Sequence, residues 1–224
     1  MAYQFIPLAT QNKREDAYGG TTENRLRILA DIFSRSRRLV GDDFPIIVKM
    51  NTEDFMPGGM GVDESGKVAV LLEKIGFSAL EMSGGMWTNL TRTEAELGWK
   101  PLPIPEARVN IRKKEQEAYF WMNACEIKKG VDLPLILVGG IRSLSKVEEI
   151  LAEGSIDFCA MARPFIREPD LPNRWRSQSP QKKATCTSCN ACLPFPGRHL
   201  ECRIEEKKYK GGKHLLEMFP FFKR

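Results

Sequence analysis

The chain has 224 residues, 42% of them hydrophobic and 28% charged, the range of a folded globular domain, which excludes wholesale disorder. Its 34 Lys and Arg stand against 29 Asp and Glu, and the net charge of +5, gathered toward the C-terminus, reads as a solvated surface rather than a nucleic-acid face. No stretch approaches the roughly 20 apolar residues that span a bilayer, and MAYQFIPLATQNKRED lacks the basic-then-apolar pattern of a signal peptide, so a cytoplasmic chain with no membrane partner is expected.

After a polar opening, Thr21-Thr22-Glu23-Asn24 offers a cap and early acidic charge for a helix through Arg25, Leu26, Leu29, Ile32, Phe33 and Leu39, ended by Gly41. Residues 44–50, FPIIVKM, make a short apolar run rich in β-branched residues, the mark of a strand buried on both faces. A helix through Val68, Val70, Leu71, Leu72 and Ile75, stopped at Gly76, feeds a second strand from Phe77 to Met82, which opens into Ser83-Gly84-Gly85. A long loop with Trp87, Trp99, Pro101, Pro103 and Pro105 follows. Lys114 to Lys128 predicts one helix, and Leu133 to Val138 a third strand broken by Gly139-Gly140. Ser143 to Glu153 predicts a fourth helix with Ser143 or Ser145 as its cap, and Phe158 to Met161 a last strand closing at Ala162-Arg163-Pro164.

Helices alternating with continuous apolar strands call for crossover connections and a parallel sheet, so the fold class is α/β. Four βα units fill residues 1–180, and a Cys-rich, basic tail fills 181–224. A closed barrel of this kind needs eight strands and about 250 residues, so the four units amount to half of one. Open strand edges are a pairing liability. They call for a homo-oligomer that completes the ring, for a partner chain carrying an N-terminal half-barrel, or for a truncated product.

Gly139-Gly140 and Ala162-Arg163 follow the last two strands, where barrels of this class hold a phosphate. Glycines let backbone amides approach the oxygens, a helix starting near Ser143 adds its positive end, and Arg163 can fork two hydrogen bonds to a dianion. In the tail, Cys186, Cys189 and Cys192 have the C-x2-C-x2-C spacing that folds thiolates around a metal centre, with Cys202 beyond. Such crowding favours metal over disulfides and fits a reducing compartment. Zinc on the same thiolates is the rival, and a reduced tail without metal the third reading. Cys125 and Cys159 read as core residues.

Phe5-Ile6-Pro7 and the string from Asn12 to Arg25, NKREDAYGGTTENR, resemble the segment after the fourth barrel strand of Old Yellow Enzyme-like NADH:flavin oxidoreductases. The resemblance runs on to about Cys202 through VKMN, MSGG, the EAYF helix, LVGGIR and MARPFIREPDL. It implies the C-terminal half of a TIM (β/α)8 barrel that binds FMN, takes electrons from NAD(P)H and reduces a small-molecule substrate such as an activated alkene. By the same resemblance, Lys49 lies beside the N1 and O2 edge of the flavin, where it would balance negative charge, and Gly139, Gly140, Ala162 and Arg163 hold the phosphate. The dienoyl-CoA-reductase-like branch further implies a [4Fe–4S] cluster on Cys186, Cys189, Cys192 and Cys202, although the second and last gaps are shorter here than in that branch. The family's substrate-gripping histidine or asparagine pair and its protonating tyrosine belong to earlier strands. No catalytic residue is therefore assigned, and Tyr3, Tyr18, Tyr119, Tyr209, His199 and His214 are given no such role. The alternative is a non-catalytic half-barrel subunit or a truncated product without activity.

Overall fold

In the computed structural model, which describes residues 12–55, 58–85, 111–192 and 200–204, the first helix starts as its sequence dictates. Thr21 is extended and its side-chain oxygen accepts the Asn24 amide, which sets off α1 (Thr22–Val40); Gly41, at φ 81°, ends it with its amide on the Arg37 carbonyl. The preceding string is a pinned turn. Asp16 pairs with Arg14, the Gly19 amide donates to the Asp16 carbonyl, and the Tyr18 hydroxyl reaches Asp31 at 2.8 Å. Buried Arg25 binds Glu64, tying α1 to the next helix.

The remaining elements are β1 (Ile47–Asn51), α2 (Val62–Ile75), β2 (Ala79–Ser83), α3 (Trp121–Lys128), β3 (Leu135–Leu137), α4 (Leu144–Glu153), β4 (Phe158–Cys159), α5 (Arg163–Arg167) and α6 (Leu171–Arg176). The four strands form one sheet in the order β1-β2-β3-β4, and every pairing is parallel. This is an α/β fold of four consecutive βα units, a partial barrel.

The two faces of the sheet differ sharply. Leu80, Met82, Leu135 and Leu137 are fully buried in a core shared with Leu72, Ala124, Ile127 and Ile150 from the helices. On the other face the register lines up Lys49, Glu81, Ile136 and Phe158 in one row across the strands. Phe158 is 58% exposed there, as Ile47 is 51% exposed on the same face of β1. The first strand is thus covered on one face and open on the other, where its run of apolar residues suggests two buried faces. The reason is geometric, because the helices of four βα units lie on one side of the sheet, and the opposite face of such a sheet is covered only when a barrel closes.

The segment from Lys114 to Lys128 also differs from the continuous helix that its composition suggests. A single 3-10 turn at Lys114–Gln116 and the helix α3 are separated by residues 117–120, with Ala118 at φ 55°. Tertiary contacts override helix propensity here. Glu117 leaves the helical path to accept backbone amides 25 and 26 residues away, and the Tyr119 amide donates to the Gly139 carbonyl.

The turn after β1 is organised by Asp54, fully buried, which accepts the Asn51 side-chain amide at 2.8 Å and the Met60 backbone amide at 2.7 Å. Burial pushes its carboxyl above the ordinary range, against the pull of those two bonds. With the folded value above the unfolded one, the native state holds the proton more tightly, so this group's contribution is greatest at low pH and is lost as pH rises through the folded value. Urea unfolding of wild type and Asp54→Asn should therefore show wild type losing stability relative to the variant as pH rises from about 4, the ordinary carboxylate value, toward neutrality. A constant difference across that window would remove the buried-charge reading. For the core, Leu137→Ala should cost about 2–5 kcal/mol in the same measurement, because a fully buried side chain on a central strand leaves a cavity that rigid neighbours cannot close.

Candidate functional site

The C-terminal ends of the strands surround a cavity of about 550 Å³. Ser83 at the end of β2, Val138 and Gly139 after β3, and Ala160 after β4 form its rim. Lys49, Gly139, Gly140, Ala162 and Arg163, the residues singled out by the sequence for a flavin and its phosphate, all line this one space. Gly139 and Gly140 have φ of 121° and 73°, a region costly for residues with a Cβ. They also lie flat against aromatic rings, so that a Cβ on Gly140 would sit 2.6 Å from Tyr119 and one on Gly139 2.9 Å from Phe120. Ala162 adopts φ −97°, which a methyl group tolerates.

Lys49 does not stand alone. Its Nζ lies 2.6 Å from Glu81 Oε1, on neighbouring strands at matched register, and the lysine side chain is 56% exposed. Such an open pair contributes little to stability, roughly 0–1 kcal/mol, so either partner is free to exchange for another.

The larger surprise is Arg142. It lines the cavity, is 6% exposed, and uses its terminal nitrogens on the Ile111 and Ala184 carbonyls, while its buried Nε has no hydrogen-bond partner among the described residues. Burial holds its guanidinium below the ordinary range, and the nearby Arg163 charge adds to that, against the pull of Cys186 and Glu117. Arg163 in turn donates from Nη1 to Asn190 Oδ1 at 2.6 Å. Among the described residues, Lys49, Arg142 and Arg163 thus line the cavity with one carboxylate, Glu81. The string LVGGIR carries Arg142 openly, but a reading based on backbone glycines passes over the side chain two residues on.

The expected contribution of the helix after the glycines is altered by Glu117. This carboxylate, its side chain wholly buried, accepts the amides of Arg142 at 2.8 Å and Ser143 at 3.0 Å as well as the Ser143 hydroxyl. The first amide of α4, on Leu144, donates to the Lys182 carbonyl. The positive end of α4 is therefore occupied from within the chain, and the donors left facing the cavity are the glycine loop and the guanidiniums. Nothing in the local pattern around Glu117 marks it out, since a glutamate in a helical stretch ordinarily faces water.

The metal expectation is corrected. Among the described residues no group of three or more His, Cys, Asp or Glu side chains is placed to hold a metal ion, which overturns the [4Fe–4S] cluster on Cys186, Cys189, Cys192 and Cys202, and with it zinc on the same thiolates. The four cysteines border a common space of only about 10 Å³, room for about one water molecule. Arg167 occupies one side of it and donates to Cys202 Sγ at 3.3 Å. Cys159 packs against the core, where burial pushes its thiol up to about 11; Cys125 is half-buried on α3. Phe5-Ile6-Pro7, Trp87, Trp99, the proline cluster at Pro101, Pro103 and Pro105, Tyr3, Tyr209, His199 and His214 lie outside the described residues.

Fold and site together define a partial (β/α) barrel with a cationic cavity at the C-terminal ends of its strands. The chain belongs to the NADH:flavin oxidoreductase / NADH oxidase family, which matches residues 2–182. It is 32% identical over 209 residues to an NADH oxidase of Thermoanaerobacter brockii, a match covering 90% of this chain and 29% of that one. It is 34% identical over 191 residues to a metal reductase of Desulforamulus reducens, covering 85% and 26%. Among solved structures, a 2-naphthoyl-CoA reductase in complex with 2-naphthoyl-CoA superposes with a TM-score of 0.69 at 28% identity, over 84% of this chain and 26% of that one. The chain thus spans about a quarter to a third of the length of these relatives. Among the described residues, no helix is long and apolar enough to cross a membrane.

If Glu117 holds the cavity loop in shape, Glu117→Ala should cost about 1–3 kcal/mol, since two buried amides and a hydroxyl lose their acceptor. Chemical denaturation checks this, and a loss within error of zero would mean that water replaces the carboxylate without penalty.

Proposed function

We propose that the cavity is the phosphate and ring-edge side of an FMN site in an oxidoreductase that takes electrons from NAD(P)H and reduces an activated alkene, such as an enone or an enoyl thioester. The observation that carries this reading is the pair Arg142 and Arg163 beside the Gly139-Gly140 loop, with a buried Arg142 Nε that has no hydrogen-bond partner among the described residues. A phosphate monoester fits that donor set, because it brings two negative charges and several acceptor oxygens to a place where cations crowd one another. Arg163 would fork onto the phosphate, the glycine amides would approach it closely, and Ala162 would leave room at the rim. Lys49 would face the ring edge, exchanging its open pair with Glu81 for the cofactor's carbonyl oxygen. Bound FMN would supply hydride transfer between the nicotinamide and the substrate; the protein's share is orientation and electrostatics.

The reading of the substrate draws on the 2-naphthoyl-CoA reductase, whose complex carries a conjugated thioester. The open face of the sheet supports completion of the ring by a further half-barrel, from more chain, a partner or a second copy, and with it the proton donor that the described residues are not assigned. A non-catalytic half-barrel subunit is the second reading, favoured by the exposed Ile47 and Phe158.

Titration of the purified chain with FMN, followed by flavin fluorescence, should show binding that Arg163→Ala weakens by about tenfold or more, as expected for the loss of charge-assisted hydrogen bonds worth roughly 1.5–3 kcal/mol. Equal binding by wild type and variant would remove the phosphate role. NADH oxidation with an enone acceptor by a flavin-loaded oligomer would defeat the non-catalytic reading.

A further inference from the structure

One carboxylate lines the cavity among the described residues, and it belongs to Glu81. The parallel register sets it in a row on the open face of the sheet, with Lys49 at the matching position of β1 and Ile136 at that of β3. A cation therefore stands on one side of it and an apolar side chain on the other. Its Oε1 accepts the Lys49 Nζ at 2.6 Å, and the Glu81 side chain is 30% exposed. The other two cations of the cavity have different partners, Arg142 the Ile111 and Ala184 carbonyls and Arg163 the Asn190 side chain. Glu81 is thus the chain's own counter-charge for Lys49, and any acceptor that a ligand brings to Lys49 must compete with it.

We propose that Glu81 is a positioning residue that tunes the ring-edge side of the site, competing with a bound flavin for the Lys49 ammonium and so limiting how strongly the chain favours the reduced cofactor over the oxidised one. This role rests on the FMN reading and adds Glu81 to it. A flavin ring offers a carbonyl oxygen to a lysine when oxidised, and carries negative charge at the same edge after two-electron reduction. Both forms gain from Lys49, and the reduced form gains more, because a full charge meets the ammonium. The carboxylate subtracts from each. It draws the ammonium toward β2, and its own charge repels a negative ring edge, so the two effects share one sign. The pair is open to solvent, where it contributes little to stability and its partners exchange readily. A pair kept only for the sheet would leave the redox balance of a bound flavin unmoved.

Full-length chain carrying Glu81→Gln should bind oxidised FMN at least about threefold more tightly than wild type in a fluorescence titration, and riboflavin by the same factor, since the gain concerns the ring and not the phosphate. Anaerobic reduction beside a dye of known potential should show the flavin bound to the variant about 30 mV more positive, a roughly tenfold greater preference for the reduced form. Glu81→Ala, which removes the same charge with another shape, should reproduce both shifts. In a Lys49→Met background, Glu81→Gln should leave the oxidised affinity unchanged. An affinity and a potential equal to wild type, shifts of opposite sign, or a gain that persists without Lys49 would overturn the role of Glu81, while wild-type binding upholds the FMN reading. Binding of neither FMN nor riboflavin by any of these chains would overturn both together.

Discussion

The buried carboxylate of Glu117 is the contact on which the geometry of the cavity depends. It reaches from the broken segment before α3 to the chain just after β3, and takes the amides of Arg142 and Ser143 with the Ser143 hydroxyl. The Tyr119 amide, two residues on, holds the Gly139 carbonyl at the other end of the same loop. Between these two fixings the loop has little choice but the left-handed turn at Gly139 and Gly140, with Tyr119 and Phe120 packed too close for any side chain there. A charge buried in this way is tolerated because it is surrounded by donors, with Lys183 at 3.8 Å beyond them.

That arrangement sets the electrostatics of the cavity. Glu117 balances the positive end of α4 from behind, so the basic side chains in front are left facing the open space. Burial, with the Arg163 charge nearby, disfavours the charged form of Arg142, and an anion beside it would offset this. Lys49 is farther from this logic, since its Glu81 partner on the adjacent strand already answers its charge.

Much of the fold was legible because the signals were local. The α1 cap at Thr21, the glycine stops at Gly41 and Gly76, and the apolar runs that became β1 to β3 follow from backbone chemistry within a few residues. What the sequence hid came from contacts distant along the chain. The helix broken at residues 117–120 is explained only by the partners of Glu117 and Tyr119 on the far side of β3. The open face of the sheet could be anticipated from counting strands, yet the apolar run of β1 alone argued for two buried faces. Within the site, spacing drew attention to Gly139, Gly140 and Arg163, whereas Arg142 and Asn190 matter through burial and a side-chain contact. The cysteine spacing misled in the other direction, because thiols close in sequence are here folded around a space too small for a cluster, with Arg167 beside them.

The most direct test of the cationic cavity compares FMN with riboflavin, which shares the ring system and lacks the phosphate. Calorimetric titration of the reduced chain should give an affinity for FMN at least about tenfold higher than for riboflavin, the margin of one phosphate held by paired guanidiniums. Equal affinities for the two, or binding of neither, would contradict a phosphate site between Arg142, Arg163 and the Gly139-Gly140 turn.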